Sequence, residues 1–183
     1  MLIGLTPALA PMAEPPEALL GPGWTLDLKG QAYPDQVTRK PGQATIFDAA
    51  GEDFGTVGVL AHNYLEGRRF MLLNEGDLIG LGWVDGREAW YRVTEIQVWT
   101  ATEPGNEFSP LERRGELADS WAVYRAVYGP SGRLILQTCV GVRGGFYFVV
   151  AEPDNGLGNG LNGLGIDQSV ARGRSIRRLR RFC

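Results

Sequence analysis

Between Trp24 and about Ala151 the chain is divided into short apolar, β-branched runs separated by turn signals. No other feature constrains its fold as strongly. Strands are predicted at Trp24–Leu28, Ala44–Phe47, Thr56–Ala61, Leu78–Val84, Ala89–Thr100, Leu134–Thr138 and Phe146–Ala151. In the longest run, Trp90, Arg92, Thr94, Ile96 and Val98 alternate with Tyr91 and Val93, the period of two that a strand requires. Asp85-Gly86 is a hairpin signal between two runs. Ser131-Gly132, following Gly129-Pro130, turns the chain into the run that leads to Cys139. The 26 glycines favour a turn-rich β protein over a helical bundle. At 44% hydrophobic and 21% charged residues, a chain of 183 residues has the composition and length of one globular domain.

Two segments depart from the β pattern. Arg69–Asp77 reads as a short helical or 3₁₀ turn. In Leu117–Tyr128, Leu117, Trp121, Tyr124 and Tyr128 recur at helical steps, although Trp121–Val127 also suits a strand. Thr102–Glu116 reads as a long loop of mixed charge that borders a substrate groove or is simply solvated. Residues 1–23, with Pro15-Pro16 and Gly21-Pro22-Gly23, read as an irregular lead-in. Their apolar start is either the remnant of a signal or anchor, or an apolar leader. The expected folded unit is 24–153. A Gly/Asn-rich then Arg-rich arm, 154–183, follows it.

The net charge of −3 hides an asymmetry. Residues 171–183 hold six arginines and no acid, and subtracting those charges leaves −9 on residues 1–170. An acidic body argues against a nucleic-acid partner. The arginine tail is a solvated end or a contact for an anionic surface. No stretch reaches the ~20 apolar residues of a membrane span. One histidine and two cysteines cannot supply the roughly four ligands of a zinc site. No run resembles a Ca²⁺ loop, so no cofactor is expected.

His62, the only histidine, closes the run Thr56-Val57-Gly58-Val59-Leu60-Ala61-His62-Asn63. Cys139 closes Leu134-Ile135-Leu136-Gln137-Thr138-Cys139. Taken alone, a cysteine on an apolar strand is most often a buried small hydrophobe. Two cysteines in a chain of this length do not make a disulfide framework. A thiol and an imidazole at two strand ends, however, are the parts of an activated nucleophile.

Three segments together resemble the sortases, the cysteine transpeptidases of bacterial surfaces. They are Val57-Gly58-Val59-Leu60-Ala61-His62-Asn63, Phe70-Met71-Leu72-Leu73-Asn74-Glu75-Gly76-Asp77-Leu78-Ile79 and Leu136-Gln137-Thr138-Cys139, and the likeness spans about 44–151. The resemblance implies a mainly β fold: a closed eight-stranded barrel with short helices. It also implies thiolate attack on a peptide carbonyl in a C-terminal sorting motif, release of an amine, and resolution of the acyl-enzyme by a second amine. Cys139 matches the nucleophile and His62 the histidine, here the general acid. The family arginine follows the cysteine. Phe146 occupies its usual place, and Arg143, the only arginine between Cys139 and the tail, is the candidate oxyanion stabiliser. Ala61 and Ile135 also depart from the family's commoner Gly and Thr.

The implied partners are proteins carrying a sorting motif and an amine acceptor, such as a cell-wall precursor or a pilin lysine. The implied location is the bacterial cell surface, with a membrane tether in the full-length protein. The rival readings are a peptide hydrolase of the same fold, a catalytically weak surface binding or scaffold module, and an adaptor whose arginine tail binds an anionic surface.

Overall fold

A computed structural model describes residues 14–34, 36–101, 107–110, 118–140 and 144–154. Ten strands and three short helices follow in chain order. They are β1 (Ala18–Gly21), β2 (Trp24–Lys29), β3 (Gln43–Phe47), α1 (Asp48–Phe54), β4 (Val57–Leu60), α2 (Gly67–Phe70), β5 (Leu78–Gly82), β6 (Glu88–Ala101), β7 (Glu107–Pro110), β8 (Ala118–Asp119), α3 (Ser120–Tyr128), β9 (Leu134–Val140) and β10 (Gly145–Pro153).

Eight of the strands close a barrel. The hydrogen-bonded order runs β10-β9-β4-β3-β2-β1-β5-β6, and β6 returns to β10 in antiparallel register (Phe148↔Gln97, Val149↔Ile96). Closure leaves the ring without an exposed edge. Most pairs are antiparallel, but β2–β3 and β4–β9 run parallel. β7 and β8 extend the sheet outward from the far end of β6.

Alternation along the strands divides the apolar residues between two cores. Leu19, Leu26, Leu28, Ala44, Val59, Ile79, Leu81, Val93, Leu134, Leu136 and Val149 come from every wall of the ring and fill its interior. Phe47, Leu60, Ile135, Phe146 and Phe148 point outward and are covered by Val123, Tyr124, Val127 and Tyr128 of α3 and by Ala49 and Ala50 of α1. β9 is buried on both faces, so it opens with the continuous apolar run Leu134-Ile135-Leu136 rather than an alternating one, and Gln137 and Thr138 follow as buried polar residues. Gly58 lets this outer layer close. A Cβ there would stand 3.0 Å from both Ala50 Cβ and Phe47 Cβ.

The barrel begins earlier than the sequence pattern suggests. The stretch read as an irregular lead-in contains β1, which pairs with both β2 and β5 and buries Leu19. Four residues between a Pro pair and Gly21-Pro22-Gly23 carry too little pattern to announce a strand, yet without them the ring would stand open. The expected loop Thr102–Glu116 contains β7, whose Phe108 joins the outer core. The helical reading of 117–128 holds for α3, capped by Asp119, whose carboxylate accepts from the Ala122 N–H at 2.7 Å. α1 follows β3 directly. Its Asp48-Ala49-Ala50-Gly51 start carries no apolar periodicity, although Ala49 and Ala50 are buried. The Gly/Asn/Arg arm lies outside the described residues from 155 onward.

Candidate active site

The parallel pairing of β4 with β9 sets the site. Val59 faces Leu136 and Leu60 faces Gln137. The Ala61 N–H then donates to the Gln137 carbonyl at 3.2 Å, so the ladder runs past the end of β4. The printed pairs end at Leu60 and Gln137, so His62 lies two residues beyond the last pair of β4 and Cys139 two residues beyond its partner on β9. Two residues separated by 77 positions thus end adjacent parallel strands on the same rim of the barrel.

The chain turns sharply at His62. The His62 carbonyl accepts from the N–H groups of Leu65 and Gly67, both at 3.0 Å. α2 follows at once and sends Phe70, with Leu73 just beyond it, into the interior core. Gly67 is required by this approach. A Cβ on it would lie 2.1 Å from Thr138 Oγ1 and 2.8 Å from the His62 carbonyl oxygen. Glu66 fastens the turn to the long β2–β3 connection. Its carboxylate accepts from the Gly42 N–H at 2.7 Å and from Arg69 Nε at 2.5 Å. These bonds hold the Glu66 carboxyl below its ordinary pKa, the Gly42 N–H contributing most and burial opposing it.

The His62 imidazole stacks on Tyr64, with ring centroids 5.0 Å apart and planes 20° apart. Its Nε2 is buried and has no hydrogen-bond partner among the described residues. Burial holds the His62 pKa below its usual value. The positive charge of Arg39 adds to that effect, and the facing carbonyl of Val37 works against it. At neutral pH the ring is therefore chiefly neutral.

Cys139 is half-buried, and its sulfur is held in a disulfide. The chain's other cysteine, Cys183, lies outside the described residues. A nucleophilic thiol at this position thus appears only on reduction. Beneath Cys139, the buried Tyr128 hydroxyl donates to Gln137 Oε1 at 2.7 Å and fixes the outer face of β9. The next residue, Thr138, points the other way, and its buried Oγ1 has no partner among the described residues.

Of the three site residues expected from sequence, the structure brings His62 and Cys139 to one rim. Arg143 lies outside the described residues. On β10 the residue directly opposite Cys139 is Phe146, 1% exposed and packed on Phe108 with ring centroids 5.1 Å apart. Sequence reasoning missed Arg39. It sits in an unpatterned connection, and only the tertiary fold carries its charge to His62. Among the described residues no three His, Cys, Asp or Glu side chains converge as a metal ion would need. No helix among them is long and apolar enough to cross a membrane.

No family model matches the sequence, and no curated protein is detectably similar to it. Solved structures are similar in fold. The pilus-related sortase C of Group B Streptococcus matches with a TM-score of 0.52 at 14% identity, over 78% of this chain and 69% of that one. The sortase D5 transpeptidase of Clostridium perfringens matches at 0.51 and 14%, over 75% and 77%. The chain has a sortase-like fold. Sortase A from Corynebacterium diphtheriae agrees at 0.50 and 17%, over 77% of this chain and 61% of that chain. The sortase-like barrel is thus retained at identities where the likeness speaks for the fold alone.

Proposed function

We propose that the chain is a sortase-like cysteine transpeptidase. The observation that supports this reading is the parallel β4–β9 register, since both residues follow its last pair, Leu60 and Gln137, by two positions on the same rim. Reduced Cys139 is the nucleophile. Neutral His62 takes the Sγ proton as sulfur bonds to the substrate carbonyl carbon. The C–N bond then breaks, and His62 passes that proton to the departing amine as general acid. A thioester remains. A second amine attacks it and yields its proton to His62; the C–S bond then breaks, His62 returns that proton to sulfur, and a new amide and a free thiol remain. Arg143 stabilises the oxyanion of each tetrahedral intermediate, helped by backbone N–H groups.

The substrate in this reading is a protein with a C-terminal sorting motif. The acceptor is an amine such as a cell-wall precursor or a pilin lysine, and the reaction takes place at a bacterial cell surface with the protein tethered to the membrane. Support comes from the fold and from the one histidine and one cysteine at its rim.

The test is intact-mass measurement of the reduced protein with a sorting-motif peptide. The expected adduct is on Cys139. It is absent without reductant and absent in Cys139→Ala and His62→Ala, and an added amine discharges it. Discharge by water alone would replace the transpeptidase with a hydrolase. No adduct under any condition would overturn both. One observation favours a second reading, a catalytically weak binding module. The β10 position facing Cys139 is filled by buried Phe146, which can supply no charge.

A further inference from the structure

Among the described residues, Tyr33, Tyr64, Leu72 and Val84 are the large apolar side chains left mostly in water. Exposed apolar residues are ordinary when they stand singly. Tyr64 does not stand singly. It is 54% exposed, yet its ring lies on the His62 imidazole, with centroids 5.0 Å apart and planes 20° apart. The contact is therefore made by the face of the ring and not by its hydroxyl.

The backbone beneath Tyr64 is fixed. Tyr64 is the third residue of the turn that the Leu65 N–H closes onto the His62 carbonyl, and the Gly67 N–H holds the same oxygen. One turn thus carries both rings. Gly67 seats it against β9, and Glu66 ties it to the β2–β3 connection.

The face of an aromatic ring is the electron-rich side of its quadrupole. A cation within about 6 Å of the centroid is attracted to it. In the proposed reaction His62 takes a proton first from sulfur and later from the second amine, and each time becomes an imidazolium. Burial disfavours that form, as does the positive charge of Arg39, while the Val37 carbonyl favours it. On β9, Cys139 is held in a disulfide and does not titrate. The Glu66 carboxylate is engaged by Gly42 and Arg69. The stacked ring offsets part of the cost of burial, because it offers the charged form a partner where water is excluded.

We propose that Tyr64 is a positioning residue for His62: its stacked ring fixes the plane of the imidazole and favours the imidazolium through which proton transfer passes. The inference rests on the transpeptidase reading and adds to it a residue that acts through the histidine.

The test compares Tyr64→Leu, which keeps an apolar cover without a π face, with Tyr64→Phe, which keeps both. The full chain has one histidine, so its imidazole C–H signals are followed by NMR without overlap. The titration is run with the Cys139 disulfide intact, so that no thiol titrates beside the ring. Tyr64→Leu should move those signals downfield, because the ring current of the stacked neighbour is lost. It should also lower the His62 midpoint by about half a pH unit, the scale of a cation–π contact at an exposed site. Tyr64→Phe should restore both. In the reduced protein with a sorting-motif peptide, Tyr64→Leu should lower kcat about fivefold with KM unchanged, and Tyr64→Phe should recover the rate. Signals that stay in place, or a midpoint that stays or rises in Tyr64→Leu, overturn the inference. So does an unchanged kcat, or a loss that falls on KM and makes Tyr64 a wall of the substrate site instead. If the parent turns over no peptide, the transpeptidase reading fails separately, and the NMR comparison decides whether Tyr64 holds the ring and favours its charged form.

Discussion

Gly67→Ala tests the turn that carries His62. The added Cβ would meet Thr138 Oγ1 at 2.1 Å and the His62 carbonyl oxygen at 2.8 Å, whereas ordinary contact begins at 3.4 Å. The two overlaps are thus 1.3 Å and 0.6 Å. The hydroxyl belongs to a β-branched residue with little freedom at χ1. The carbonyl is backbone already holding two 3.0 Å hydrogen bonds. Neither can yield without moving the end of β4 or β9. Overpacking of this kind costs about 2 kcal/mol, or roughly 5 °C in melting midpoint for a chain of this size.

The same displacement tilts His62 away from Cys139, so adduct formation should slow by about 10- to 100-fold. Urea unfolding measures the first effect and single-turnover mass spectrometry the second. Thr138→Ala in the same chain removes the larger overlap but not the smaller. It should recover part of the stability and little of the rate. A Gly67→Ala protein within about 0.5 kcal/mol of the parent, the range of ordinary surface changes, would refute the described packing of α2 on the rim.

Three further outcomes follow from the same packing. Tyr128→Phe leaves Gln137 Oε1 buried without its donor and should cost about 1–3 kcal/mol in chemical denaturation; no loss would mean the bond is not what orders β9. Phe146→Arg places a charge in the outer core at a position 1% exposed, and the protein should fail to fold, as judged by its near-UV circular dichroism. A folded, more active variant would show that this place on β10 accepts a cation. Because the folded-state pKa of His62 is depressed, its unfolded form binds the proton more readily. His62 therefore contributes stability that is present above about pH 6.5 and lost as pH falls below it. Urea midpoints measured from about pH 8 down to about pH 5 should show a decline that is shallower in His62→Gln. A decline equally steep in the variant would contradict the assigned cause.

Most of the barrel is legible in the sequence because its strands carry strong local signals. The runs at β4, β10 and Leu134–Leu136 of β9 are apolar on both faces, whereas the alternation of β6 is broken where its pairing with β10 skips Thr94, so that Val93 and Ile96 meet the same core. β1 escapes because four residues flanked by Pro and Gly have no measurable period, and it is held only by its neighbours on both sides. β7 escapes because Glu107-Phe108-Ser109-Pro110 sits in a charged stretch and its pairing with Trp99–Ala101 is a tertiary event. At the site, His62 and Cys139 are recognisable as strand ends. Their adjacency needs the parallel β4–β9 register, which no local pattern encodes. Arg39 is invisible for the same reason: only the folded β2–β3 connection carries its charge to His62.

The β4–β9 ladder also decides when the chemistry can begin. More than seventy residues separate the two strands, so their pairing must await a long chain closure. Until that closure, the emerging polypeptide carries one unremarkable sulfur and one unremarkable ring, each with its ordinary aqueous acidity. On the proposed reading the two meet only once the barrel has closed, and the sulfur must still be freed by reduction before it can react.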